Sequence, residues 1–190
     1  AGNVSSYNVL SGCEIVPATP DMLPDILALE EACFSSPWTR KMLEGELTSN
    51  HFARFLVARQ QAESTTKAEP IIIGYHCFWI VFEELRLMNL AVRESMRKRG
   101  VGGALVTEAL CLGLEQAATR AVLEVRASND PARSFYSRLG FVQIGSRPRY
   151  YTNPIEDAVL MEMNPLVMSN GRQRDAGFVS GGESASTDSL

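Results

Sequence analysis

Apolar and polar positions divide the chain into short blocks, and the spacing within each block predicts its structure. Cys13-Glu14-Ile15-Val16 reads as a short strand. Thr19-Pro20 then opens a helix, with Thr19 as N-cap and Pro20 in the first helical position. Met22, Ile26, Leu29 and Cys33 follow at i, i+4, i+7 and i+11, one apolar face. Ser35-Ser36-Pro37 breaks that helix, and Thr39 caps a second one running to about Leu47. Residues 52–59, 71–82 and 85–92 are β-prone, separated by a polar loop at 60–69 and a turn at Glu83-Glu84. They predict three antiparallel strands in succession. Ala104 to Ala118 is an apolar helical run and Ala121 to Arg126 a strand. Asn129-Asp130-Pro131 caps a short helix that ends at Gly140, a suitable C′ glycine. Phe141–Ile144 and Ala158–Met163 are the last strands. A strand meander followed by strand–helix–strand–helix–strand implies a mixed sheet flanked by helices.

The 190 residues fit one domain, and a 45% apolar content is enough for a core. Residues 1–11 read as a flexible arm, 12–165 as the domain, and 166–190, rich in Ser, Gly and Asp, as a disordered tail. A net charge of −4 argues against a nucleic-acid binder. No apolar run approaches the ~20 residues that span a bilayer, and residues 1–11 lack a secretory pattern. Cys13, Cys33, Cys77 and Cys111 form no CxxC pair. Free thiols fit a reducing cytoplasm, the expected location. With only His51 and His76 available, a zinc site or a Ser-His-Asp triad is not expected.

Arg97-Lys98-Arg99-Gly100-Val101-Gly102-Gly103 lies between a strand and a helix. Glycines let backbone N–H groups approach an anion, and a helix N-terminus adds about half a positive charge. The stretch is a pyrophosphate cradle by its physics; the alternative is an ordinary turn with a solvated basic run. It is not a P-loop, because Ala104-Leu105 follows Gly103, and Leu105 stands where a dinucleotide fingerprint needs its third glycine.

Arg97-x-x-Gly100-x-Gly102 after Asn89-Leu90-Ala91-Val92 resembles the acetyl-CoA signature of the GNAT N-acetyltransferases. The chain is similar in particular to the RimI-type ribosomal-protein-alanine N-acetyltransferases. The resemblance runs through Ser36-Pro37-Trp38, Met88 to Val92, Leu123 to Asn129, Phe135 to Phe141, Arg147 to Tyr151 and Glu156 to Met161, in family order. It spans about residues 13 to 165; the 60–69 loop and the tail fall outside it. It implies an α/β (α+β) GNAT fold with a mixed, mostly antiparallel central sheet. It also implies acetyl transfer from acetyl-CoA, without a metal, to the N-terminal alanine of a small-subunit ribosomal protein. The implied partner is that protein's N-terminal segment, with no direct nucleic-acid or membrane contact; a tRNA-modification partner occurs around the family. Other protein N-termini, lysine side chains or a small amine are alternative acceptors. A non-catalytic acyl-CoA-binding module is the alternative of another class.

Acetyl transfer to an amine needs a proton acceptor, since a peptide α-amine has a pKa near ~7.7–8, and a donor for the leaving thiolate. Glu124 shares a strand face with Val122 and Arg126. It is either a base, acting directly or through a water, or the structural partner of Arg126. The resemblance implies the base. Tyr136 lies beside the inward set Ala132, Phe135 and Leu139 and reads locally as a packing residue at the helix edge. The resemblance implies the acid. By the same resemblance Leu90, Ala91, Val92, Arg97, Lys98, Arg99, Gly100, Val101, Gly102, Gly103 and Asn129 contact the cofactor. Trp38, Tyr150 and Tyr151 match the peptide-binding side; the adjacent tyrosines face opposite ways in a strand, so only one need touch peptide.

Overall fold

The computed structural model describes residues 12–61 and 69–168; the arm at 1–11, most of the 60–69 loop and the tail from 169 lie outside the described residues. Seven strands form one sheet: β1 (Cys13–Pro17), β2 (Ala53–Gln60), β3 (Ile71–Val81), β4 (Glu84–Val92), β5 (Arg120–Arg126), β6 (Val142–Thr152) and β7 (Ile155–Met163). The spatial order is β1-β2-β3-β4-β5-β7-β6. Among the described residues only β4 and β5 run parallel; the other pairs are antiparallel. Four helices flank the sheet: α1 (Leu23–Cys33), α2 (Arg40–Thr48), α3 (Val101–Glu115) and α4 (Asp130–Arg138). The mixed sheet between helices is the architecture implied by the pattern, and its mostly antiparallel pairing is the one implied by the resemblance.

Each face of the sheet closes its own core. Leu85 and Leu87 of β4 and Ala121, Leu123 and Val125 of β5 pack with Leu105, Val106 and Ala109 of α3, and α4 joins them through Tyr136. On the other face Ile26 and Leu29 of α1 and Leu43 of α2 cover Phe55, Val57, Tyr75 and Cys77. Alternation puts Val122, Glu124 and Arg126 on that second face. His76 is fully buried, with Nδ1 3.4 Å from the Leu105 carbonyl and Nε2 lacking a partner among the described residues. Burial lowers its pKa to about 4. Among the described residues no helix is long and apolar enough to cross a membrane.

Three expectations change. Thr19 makes no side-chain cap; a 3-10 turn (Pro20–Met22) comes first and α1 starts at Leu23. Pro24 has no N–H to give to the carbonyl of Pro20, so one helix cannot run through both. The β6 strand extends far past Ile144, to Thr152. Arg147-Pro148-Arg149 reads as a strand breaker, yet β6 is an edge strand, where proline is tolerated, and its pairing shifts between Arg147 and Tyr151. The tail boundary at 166 also moves: Leu166 is 5% exposed and donates its N–H to the Thr119 carbonyl at 2.7 Å.

Candidate active site

The parallel pairing of β4 with β5 stops at Leu87–Leu123, while β5 stays paired with β7 through Arg126. Beyond Leu87 the β5-facing edge of β4 is therefore open. At the same place β4 bulges. Its pairs with β3 jump from Leu87–Phe78 to Leu90–His76, so Met88 and Asn89 stand opposite Cys77 alone. After the bulge Leu90 and Val92, not Ala91, pack toward α3.

A cavity of about 420 Å³ occupies this opening. Its walls carry Trp38 from the α1–α2 loop, Leu90 from β4, Glu124 from β5, Asn129 and Tyr136 from α4 and its cap, and Tyr151 from β6. Six of the expected site residues thus meet in one cleft. Tyr150 does not line it; it is 47% exposed and sits edge-on to Tyr151. Ala91 and Val101 are buried core, and Val92 and residues 97–103 lie outside the cavity walls.

Glu124 is not the partner of Arg126. Its Oε1 lies 3.0 Å from Arg86 and 3.4 Å from Arg147, and Oε2 accepts no hydrogen bond among the described residues. Burial works against the Arg86 charge, but Glu124 and Glu84 outweigh it and hold the guanidinium pKa above its usual value. Arg126 instead pairs with Glu156 at 3.3 Å, lies over the Tyr151 ring and donates to the carbonyls of Asn153 and Pro154. Ser36 donates to the same Asn153 carbonyl at 3.1 Å. The β6–β7 turn and the α1–α2 loop are thereby tied together at one rim of the cleft.

Tyr136 is the buried residue of α4, where the helical stripe places it at the edge. Its ring packs edge-on against Phe135 and Phe141, which pulls it inward past Ala132 and Leu139. Burial raises its pKa above the usual phenol value, so it is a protonated O–H at neutral pH. Among the described residues no hydrogen bond acts on the hydroxyl; burial alone shifts it. Burial, then the neighbouring Tyr150, raise the Tyr151 pKa to about 12, with the Arg126 charge opposing them. Asn129 caps α4, its Oδ1 accepting from the Ala132 N–H at 3.1 Å.

The glycine loop borders the same opening. Gly100 is the N-cap of α3 at φ +86°, a left-handed conformation that favours glycine. The first helical hydrogen bond runs from the Ala104 N–H to Gly100, which leaves the N–H groups of Val101, Gly102 and Gly103 without helical acceptors. A Cβ on Gly102 would lie 3.7–3.9 Å from Val92, Leu90 and Phe135, and one on Gly103 would meet open space. Arg97 folds back on the Val92 carbonyl at 3.1 Å.

Sequence reasoning missed Glu30. It is fully buried on α1 and lines the cavity. Its Oε1 accepts the Trp38 N–H at 2.8 Å and the Asn89 carboxamide at 2.9 Å, and Oε2 accepts the Tyr75 hydroxyl. Burial and the Glu30 charge push the Tyr75 phenol pKa up. The signal was available: Glu30 is four residues after Ile26 and three before Cys33, on the apolar face of α1.

The chain matches the model of the acetyltransferase (GNAT) family over residues 23–141. A Bacillus subtilis protein, described only provisionally as a [ribosomal protein bS18]-alanine N-acetyltransferase, is 34% identical over 136 residues, 72% of this chain and 85% of that one. The [ribosomal protein bS18]-alanine N-acetyltransferase of Escherichia coli strain K12 is 33% identical over 149 residues, 77% of this chain and 93% of that one. The crystal structure of the ribosomal-protein-S18-alanine N-acetyltransferase from Escherichia coli superposes with a TM-score of 0.71 at 23% identity. It covers 85% of this chain and 99% of that one. Matched across well over half its length, with the β4–β5 opening in place, the chain belongs to the GNAT acetyltransferase family.

Proposed function

We propose that this enzyme acetylates the N-terminal alanine of a small-subunit ribosomal protein, bS18 or its counterpart, using acetyl-CoA. The observation that carries this reading is the cleft at the β4–β5 opening, whose walls hold both Glu124 and Tyr136. The residues fit the cofactor. The open β4 edge at Leu90 to Val92 offers backbone groups to an extended amide chain, and the bare Gly102 face leaves room beside Leu90 and Phe135. The three free N–H groups at the start of α3, with Lys98 and Arg99, suit a pyrophosphate. Acetyl-CoA supplies the activated thioester. Glu124 takes the amine proton on its open Oε2, directly or through a water, while Arg86 and Arg147 hold Oε1. The unpartnered Tyr136 hydroxyl gives its proton to the departing thiolate. Trp38 and Tyr151 form the peptide side of the cleft, with Tyr150 at its outer margin, and Asn129 borders the cofactor side.

The test is thiol release and mass analysis with acetyl-CoA and a panel of acceptors. The panel holds peptides beginning with alanine, peptides with other N-termini, N-blocked peptides containing lysine, and small amines. Preference for alanine N-termini is expected. Preference for lysine or a small amine would overturn the N-terminal reading, and binding of acetyl-CoA without any transfer would favour an acyl-CoA-binding module.

A further inference from the structure

The bulge in β4 does more than end the pairing with β5. It delivers the Asn89 side chain to α1, where Nδ2 donates to Glu30 Oε1 at 2.9 Å. A carboxylate can only accept, so Glu30 fixes which end of the carboxamide faces it. Both Glu30 oxygens are also engaged by Trp38 and Tyr75, which leaves the carboxylate little freedom to turn. The Asn89 Oδ1 then points away from Glu30, and among the described residues it accepts no hydrogen bond. Asn89 and Glu124 line the same cavity. Its wall thus presents two open side-chain acceptors of this kind, Glu124 Oε2 and Asn89 Oδ1. An amine attacking a carbonyl carbon gains from both: one removes a proton, and a second orients the amine so that its lone pair points at the carbon.

We propose that Asn89 anchors the acceptor amine, its Oδ1 accepting one N–H of the incoming amine, and that Glu30 is the positioning residue that keeps the carboxamide turned the right way. This rests on reading the cleft as the acetyl-transfer site. It extends that reading to the orientation of the nucleophile.

The experiment uses the full chain and the acceptor from the panel that wild type turns over best, with acceptor and acetyl-CoA varied separately. Asn89→Ala should raise the acceptor KM about tenfold or more, the value of one lost hydrogen bond of ~1.4 kcal/mol. Its acetyl-CoA KM should stay within about twofold, and its pH–rate profile should keep the wild-type shape, because Asn does not titrate. Glu30→Met offers no acceptor to the carboxamide, so it no longer dictates the carboxamide orientation. It should show a smaller rise in acceptor KM, again with acetyl-CoA KM unchanged. Asn89→Ser serves in place of Asn89→Ala if the latter loses its acetyl-CoA-dependent thermal shift. An unchanged acceptor KM, or parallel rises in both KM values, would overturn the anchor. A wild type that prefers lysine or a small amine overturns only the N-terminal reading, since the anchor is then measured on that acceptor. A wild type that acetylates nothing overturns both.

Discussion

Two side chains in the cleft differ in what surrounds them, and that difference sets their expected roles. Glu124 lies beside two guanidiniums, whereas Tyr136 sits in an apolar pocket of aromatic rings that keeps its proton on. Glu124→Gln keeps the shape and removes the proton acceptor. Turnover should fall by roughly 10²–10⁴ at neutral pH. Part of the loss should return above pH ~8, where an α-amine arrives neutral. A pH–rate series checks this, and a loss that does not shrink with rising pH sinks the base. Stability should change little, because Arg86 retains Glu84 at 3.0 Å. Tyr136→Phe keeps the ring contacts with Phe135 and Phe141 and removes only the hydroxyl. Turnover should drop by about 10²–10⁴ with acetyl-CoA affinity nearly intact. Full turnover in that variant would return Tyr136 to a packing role.

At the scale of elements, the cleft is made by strands that part and a helix that begins with glycines. Gly102→Val would push its branches toward Val92, Leu90 and Phe135 and fill the space beside the open β4 edge. Acetyl-CoA at 100 times its dissociation constant should stabilise wild type by about 2.7 kcal/mol. The variant should show a clearly smaller thermal shift at the same concentration; equal shifts would remove the cradle. Most of these elements are readable from period alone. Strands β2 to β5 and helices α2 to α4 lie within a few residues of their expected positions, because alternation and caps such as Thr39 and Asn129 are local signals. What the pattern conceals is tertiary. Pro148 in β6 is tolerated only because the strand is at an edge, and the partnering of Glu124 depends on which strands adjoin β5. Glu30 sits on the apolar stripe of α1, but only the placement of Tyr75, Asn89 and Trp38 around it explains why a carboxylate belongs there.

For the molecule as a whole, His76 links the sheet to acid stability. Its pKa is about 4 in the fold against 6.5 for a free histidine, because burial penalises the charged ring. Between those values the unfolded chain takes up a proton that the folded chain refuses. This contribution is therefore fully present above pH 6.5 and is lost as pH falls toward 4, to a total on the order of 3 kcal/mol. Denaturant titrations of wild type and His76→Phe from pH 7 to 4.5 should converge or cross as pH falls; parallel curves would remove His76 from the account. The pair formed by His76 and Leu90 also bounds the bulge, and there β4 changes reading frame. Leu85 and Leu87 count in odd numbers toward α3, and Leu90 and Val92 in even numbers. One supernumerary residue thus separates a continuous sheet from one with a slot in it. Deleting Met88 alone should put β4 back in a single frame, let its pairing with β5 run on past Leu123, and close the slot. The outcome would be a folded protein that no longer gains thermal stability from acetyl-CoA: an enzyme erased by subtraction of one spacer, with every candidate catalytic side chain still present.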